Sequence, residues 1–305
     1  MFMTYKNQHM GKKFALWLIV MVVSTTLVFK LTGCDTNPEN ESITALSFET
    51  VRDIKVKQST FFAGFKTVDE GVTVGYHGAT YVTTDGGETW VKGENEANCR
   101  YGLDFFSDSG LWTIGNYGGN RVSLNGGLSL YPVTDLPLVD QHANNLIDIV
   151  STQVIWEGSP VNLAYSKDAG YTWHTVTLPP SCDRLSGICF YSETAGIIMS
   201  SQACLYMTED SGSTWKEIGC LPVKESIKKS ETPSVAMHFE DETQGYVLFT
   251  DTTNLLVGFS TDDGGVNWTA ITLPKIERSS PYLNPEGDVL TATDSWGNIK
   301  VLILN

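Results

Sequence analysis

Basic side chains are in short supply. The chain of 305 residues carries 20 Lys and Arg against 35 Asp and Glu, and only Arg52, Arg100, Arg121, Arg184 and Arg278 are arginines. A formal net charge of −15 repels phosphodiester backbones, and no basic stripe interleaved with aromatics occurs, which excludes nucleic acid as a partner. Helix-compatible sequence is nearly missing too: residues 223–230 are the one such stretch, Lys-rich and too short for more than a turn. There is no Cys-x-x-Cys pair, no His-rich spacing, no Gly-x-Ser-x-Gly, no P-loop and no dinucleotide fingerprint. Neither a metal nor a cofactor is therefore expected.

Long apolar runs are absent with one exception. Residues 14–29 are mostly apolar, follow Lys12-Lys13, and lead into Leu31-Thr32-Gly33-Cys34. A charged region, an apolar region and a small-residue site in that order form a signal peptide over 1–33. Leu-Thr-Gly-Cys matches the bacterial lipoprotein box, which makes Cys34 the acylated residue. The competing reading is an uncleaved anchor, for which sixteen apolar residues are slightly short. Residues 34–42, with Asp35, Asn37, Pro38, Glu39, Asn40 and Glu41, have nothing to bury and read as a tether. The expected address is the bacterial cell envelope, with the membrane reached through the lipid; inner membrane, outer membrane and cell surface all stay open.

The rest of the chain, 43–305, is organised by one phrase. It reads Thr83-Thr84-Asp85-Gly86-Gly87-Glu88-Thr89-Trp90 first, and returns as Ser166-Lys167-Asp168-Ala169-Gly170-Tyr171-Thr172-Trp173. Two further copies begin at Thr208 and Thr261 and end on Trp215 and Trp268, while a worn copy runs from Ser123 through Asn125 to Leu130. The acidic or amide residues Asp85, Asn125, Asp168, Asp210 and Asp263 are thus 40, 43, 42 and 53 residues apart, the mark of a repeat architecture. Physically the phrase is a hairpin lock. The carboxylate accepts backbone N–H groups, glycine takes positive φ, and Trp90, Trp173, Trp215 and Trp268 offer large apolar faces to a neighbouring unit. Calcium is a poor fit, because one carboxylate per copy falls short of the roughly six to eight oxygens it takes.

These copies resemble the Asp-box (bacterial neuraminidase) repeat of sialidases, large endoglucanases, sortilin-type receptors and photosystem II assembly-factor-like propellers. The flank Gly71-Val72-Thr73-Val74-Gly75-Tyr76-His77-Gly78 ahead of the first copy is similar to the last of these families. The resemblance covers most of the chain from about residue 60. It implies an all-β propeller of four-stranded blades, and a role in assembling membrane proteins. The length after the signal, divided by the repeat period, gives six blades; seven, usual in the family, is the runner-up.

Apolar alternation divides the fourth copy into strands at 187–192, 195–201, 204–210 and 214–220, with analogous sets over 60–93, 102–136, 143–179 and 234–274. The last set ends at 304 without a box or an outer strand. Residues 44–53 are an unpaired strand candidate, and a ring needs closure to avoid a bare edge, so they are expected to complete the last blade. Cys189 and Cys204 fall on strands separated by a third, too far apart to bridge. Cys99, Cys182, Cys189, Cys204 and Cys220 are accordingly expected to be mostly free thiols.

Ligands of such propellers usually bind the face opposite the boxes. Arg100, Arg184 and Arg278 each precede an inner strand, and their guanidiniums could converge to clamp a carboxylate, with His77 and Tyr101 nearby; the alternative is three surface arginines balancing an acidic chain. The clamp invites a sialidase reading, but the Arg-Ile-Pro phrase of those enzymes is missing and no Tyr–Glu pair stands out. The large Asp-box endoglucanases set two propellers around a cleft, where this sequence encodes one. The expectation is a non-enzymatic, lipid-anchored propeller that binds an envelope protein or glycan. The alternative is an exo-glycosidase of sialidase type acting on carboxylated glycans.

Overall fold

The computed structural model describes residues 46–56, 60–75, 79–94, 100–105, 110–115, 121–132, 146–223, 235–294 and 296–305. Cys34, the tether, His77, Cys99 and all but the first residue of 223–230 lie outside them. Among the described residues there is no helix, and the strands form six four-stranded antiparallel sheets. Strand β1 (Phe48–Lys55) comes first. Blade 1 follows as β2 (Thr60–Phe65), β3 (Gly71–Gly75), β4 (Thr80–Thr83) and β5 (Val91–Lys92). Blade 2 is β6 (Arg100–Phe105), β7 (Leu111–Gly115), β8 (Arg121–Ser123) and β9 (Tyr131–Pro132). Blade 3 is β10 (Leu146–Ile149), β11 (Ile155–Ser159), β12 (Asn162–Ser166) and β13 (His174–Val176). Blade 4 is β14 (Leu185–Cys189), β15 (Gly196–Ser200), β16 (Cys204–Thr208) and β17 (Lys216–Cys220). Blade 5 is β18 (Val235–Phe239), β19 (Gly245–Thr250), β20 (Leu256–Thr261) and β21 (Thr269–Ala270). Blade 6 holds β22 (Ser279–Leu283), β23 (Val289–Asp294) and β24 (Asn298–Leu304), and its outer strand is β1.

The first strand of each blade packs on the first strand of the next, and β22 meets β2, so the six sheets close a ring. This is a six-bladed β-propeller. Its closure follows the expectation: β1 pairs antiparallel with β24 from Phe48↔Leu304 to Lys55↔Asn298, interrupted by a bulge at Val51. Without β1, β24 would present a bare edge.

Burial explains why the second strands read as near-continuous apolar runs. Each blade is covered on both faces by its neighbours, so Gly196–Ser200 and Gly245–Thr250 are buried along their whole length. The core is correspondingly divided into six clusters, one per blade junction. The box tryptophans join four of them, each wedged towards the preceding blade: Trp90 against blade 6, Trp173 against blade 2, Trp215 against blade 3 and Trp268 against blade 4. In the worn copy Leu130 takes the place of the indole and is buried.

The box glycines have the same orientation. The second one has positive φ in all five copies, from 79° at Gly212 to 96° at Gly127. A Cβ there would meet the preceding blade: 2.7 Å from Ile54 at Gly87, 2.9 Å from Trp112 at Gly170 and 2.4 Å from Val176 at Gly212. The first position is more tolerant, since Ala169 and Ser211 hold φ of 59° and 57°.

Cysteine is where the sequence reading needs correction. Cys204 and Cys220 form a disulfide, whereas mostly free thiols were expected. The two face each other across β16 and β17, neighbours joined through the box hairpin. Cys182 and Cys189 are free and buried, in line with the expectation.

The glycine geometry makes a prediction. Gly212→Ala combines left-handed strain with overpacking against Val176 and is expected to cost about 2–4 kcal/mol in urea unfolding. Ser211→Gly, one residue earlier, is expected to change stability by less than about 1 kcal/mol.

Candidate functional site

The five boxes are structural locks with a common hydrogen-bond plan. In the first, the Thr83 hydroxyl donates to Asp85 Oδ1 (2.8 Å) and accepts from the Gly87 N–H (2.9 Å). Asp85 Oδ1 also accepts from the Thr89 N–H (2.9 Å) and Oδ2 from the Thr89 hydroxyl (2.5 Å), while Trp90 Nε1 donates to the Gly87 carbonyl (3.1 Å). Asp168, Asp210 and Asp263 repeat the carboxylate contacts with Thr172, Thr214 and Asn267. Asn125 imitates them through Ser123 and Ser129. Trp215 departs from the plan, donating to the Thr177 carbonyl of the preceding blade (3.0 Å). Bonds from Thr89 and Thr83 hold the Asp85 carboxyl down at about 2, and the Asp168, Asp210 and Asp263 carboxyls are lowered for the same reason. The bonds these carboxylates accept all come from their own loop.

Near the axis sits a cluster that sequence reasoning missed. Asp104, Asp148 and Cys189 occupy equivalent places near the ends of successive inner strands, paired with Trp112, Trp156 and Ile197 of the second strands. Asp104 Oδ2 accepts from the Ile149 N–H of the next blade (3.1 Å), and Oδ1 accepts from the Phe105 N–H (2.9 Å) and from the Tyr282 hydroxyl (3.1 Å), which reaches past blade 1 from blade 6. Asp148 in turn accepts from the Phe190 N–H, and the Cys189 sulfur faces the Phe239 N–H. The side chains therefore stitch blades 2, 3, 4 and 5 in sequence. Burial, with Asp148 nearby, drives the Asp104 carboxyl well above its usual range, and burial lifts that of Asp148 to about 7. Asp148 is half-buried.

On the opposite face lie the turns between the second and third strands of each blade and the blade-to-blade connections. The structure puts Arg184 and Arg278 there, in the connections entering blades 4 and 6. Arg100 begins β6. Tyr101 follows it in the same strand, and His77 falls outside the described residues. Arg184 is half-buried, with its carbonyl accepting from the Ser201 N–H (2.7 Å). Arg278 is exposed, and its guanidinium lies 5.9 Å from the centre of the Trp296 ring. Among the described residues, no group of three or more His, Cys, Asp or Glu side chains could hold a metal ion.

Six four-stranded blades, five of them locked by Asp-box hairpins, define the class: an Asp-box β-propeller. Residues 81–92 match the BNR/Asp-box repeat. No curated protein sequence matches the chain. Among solved structures the fold is similar to YCF48 from Cyanidioschyzon merolae, at 12% identity and a TM-score of 0.50, covering 84% of this chain and 98% of that one. It is similar to YCF48 bound to D1 peptide at 15% identity and a TM-score of 0.52, covering 90% and 99%. It is also similar to the GH74 xyloglucanase from Xanthomonas campestris at 15% identity and a TM-score of 0.54, covering 81% of this chain but 43% of that enzyme.

The two sets of carboxylates impose opposite pH dependences. The box carboxyls, depressed in the fold, stabilise it above pH ~4 and lose that share as the pH falls, Asp85 through about 2. Asp104 and Asp148, raised in the fold, contribute fully below pH ~4, and the Asp148 share is lost as the pH rises through about 7. Stability in a urea titration series should peak at pH ~4–5 and decline towards pH 8. Asp148→Asn keeps an acceptor for Phe190 and removes the charge, so it should raise stability at pH 8 by about 1–2 kcal/mol and flatten the decline.

Proposed function

We propose that this protein is a non-enzymatic, lipid-anchored propeller of the bacterial cell envelope that binds a protein or glycan partner, in the service of assembling an envelope complex. The observation that carries the reading is the fold match to YCF48 over nearly the full length of both chains, one of those structures being YCF48 bound to D1 peptide. The Cys204–Cys220 disulfide supports an address outside the reducing cytosol, where such bonds persist. Acylation at Cys34 would tether the ring to a membrane, with further acyl chains giving the stability that one chain does not. Arg100, Arg184 and Arg278, with His77 and Tyr101, are the proposed contact residues on the face opposite the boxes.

A second reading, glycoside hydrolysis of the sialidase type, draws on the likeness to the GH74 xyloglucanase, of which the chain spans less than half. Hydrolysis by the usual route needs two carboxyl groups flanking an accessible bond, about 5–9.5 Å apart. What weighs against it is the use already made of the neighbouring pair Asp104 and Asp148, whose oxygens are engaged by backbone amides of adjoining blades. Photo-crosslinking in intact envelopes separates the readings. The binding role predicts a discrete crosslinked species and no turnover of a fluorogenic sialoside panel, together with loss of membrane association in Cys34→Ala. Turnover of a sialoside without any crosslinked partner would reverse the order of the two readings.

A further inference from the structure

Two segments of adjoining blades present an exposed pair of side chains opposite the boxes. The first is the β23–β24 turn. Asp294 Oδ1 accepts from the Trp296 N–H and the Asn298 N–H, each at 2.9 Å, and Oδ2 accepts from Asn298 Nδ2 at 2.6 Å. Gly297, at φ 81°, completes it, and the Gly297 carbonyl is tied to the Val56 N–H at 2.9 Å. Trp296, whose N–H is bonded within this turn, has a side chain that is 63% exposed.

The second element is the connection entering blade 6. Arg278 stands at φ 56° and Asn254 at φ 69°, both left-handed, a region that side chains other than glycine enter at a cost. The Arg278 N–H donates to the Asn254 carbonyl (2.8 Å), and Leu255 bridges Glu277 beside it. Asn254 belongs to the β19–β20 turn, which Asp251 locks by accepting from the Thr253 and Leu255 N–H groups. Glycine would hold the Arg278 backbone with less strain, so keeping arginine there points to a use for its guanidinium. The guanidinium lies over the Trp296 ring; among the described residues no carboxylate stands within ion-pair distance of it, and the adjacent Glu277 carboxylate, bonded to Lys275, acts on it only through its field.

Local charge says what the pair can take. Lys275 is occupied by Glu277 (2.7 Å), and Asp251 and Asp294 add two carboxylates to the same turns. With the chain at −15 overall, an acidic ligand meets repulsion that one guanidinium does not offset. A neutral ligand meets none. We propose that Trp296 and Arg278 form a platform for a neutral glycan: the indole takes the apolar C–H face of a sugar ring, and the guanidinium edge donates to its hydroxyls. This deepens the binding-module reading and rests on it, since a surface pair of this size positions a ligand rather than transforming one.

The test is titration of the folded protein with cellohexaose and chitohexaose, followed by ligand-observed NMR, with hexagalacturonate and an acidic peptide as charged counterparts. The platform predicts saturable binding of at least one neutral hexamer, weakened at least tenfold in Trp296→Ala and partly restored in Trp296→Phe. Arg278→Gly, which keeps the left-handed backbone, should weaken it about threefold or more with an unchanged melting temperature. Neutral binding that survives Trp296→Ala, tighter binding of hexagalacturonate or the peptide, or no saturation by either neutral hexamer overturns the proposal. A crosslinked envelope partner recovered despite such a result would leave the broader binding role standing while removing the glycan platform.

Discussion

The structure depends on closure. Six small sheets arranged around an axis bury their faces only if every blade has a neighbour on both sides. The last blade obtains its fourth strand from the front of the chain: β1 lies along β24, with Lys300 bonded to Asp53 across the seam (2.5 Å). Phe48, Ile54 and Val56 then enter two different core clusters, those on either side of blade 6. A contact between the two ends of the sequence thus completes the burial of both junctions that the last blade makes. Such long-range pairing is entropically costly to form and is repaid only by cooperative burial around the whole ring.

Within that ring the Asp-box works at two levels. Locally its carboxylate and hydroxyls satisfy the hairpin, which spares the loop any need for solvent or metal. Its glycine and indole meanwhile reach back to the preceding blade, so the motif spaces neighbours as well as turning the chain. The axial groups Asp104, Asp148 and Cys189 do a comparable job at the inner end of the blades, joining each inner strand to the next. Blades 2 to 5 are therefore tied at both their inner and outer ends.

How much of this was legible in the sequence varies with how local the signal is. The box repeats, the six blades and the closing strand could be read because period, turn chemistry and an orphan apolar strand are properties of the chain itself. The Cys204–Cys220 bond was missed because attention fell on Cys189 and Cys204, two strands apart, rather than on the ends of one hairpin. Asp104 and Asp148 were missed because an acid inside Leu103-Asp104-Phe105 or Ile147-Asp148-Ile149 reads as an ordinary interruption of an apolar run. Counted back from the box, Asp104 and Asp148 stand 21 and 20 residues ahead of Asn125 and Asp168, an offset of one that hides their equivalence until the strands are paired. Arg278 is expected from sequence on the face opposite the boxes, but its stacking on Trp296 depends on left-handed residues at 254 and 278 that no composition rule anticipates.

Amide hydrogen exchange read by mass spectrometry tests the central claim most directly. If β1 is an integral blade strand, peptides covering 48–55 will show protection equal to those covering 298–304, and both will lose it together as urea is added. Rapid exchange over 48–55 alongside a protected remainder would contradict closure by the first strand.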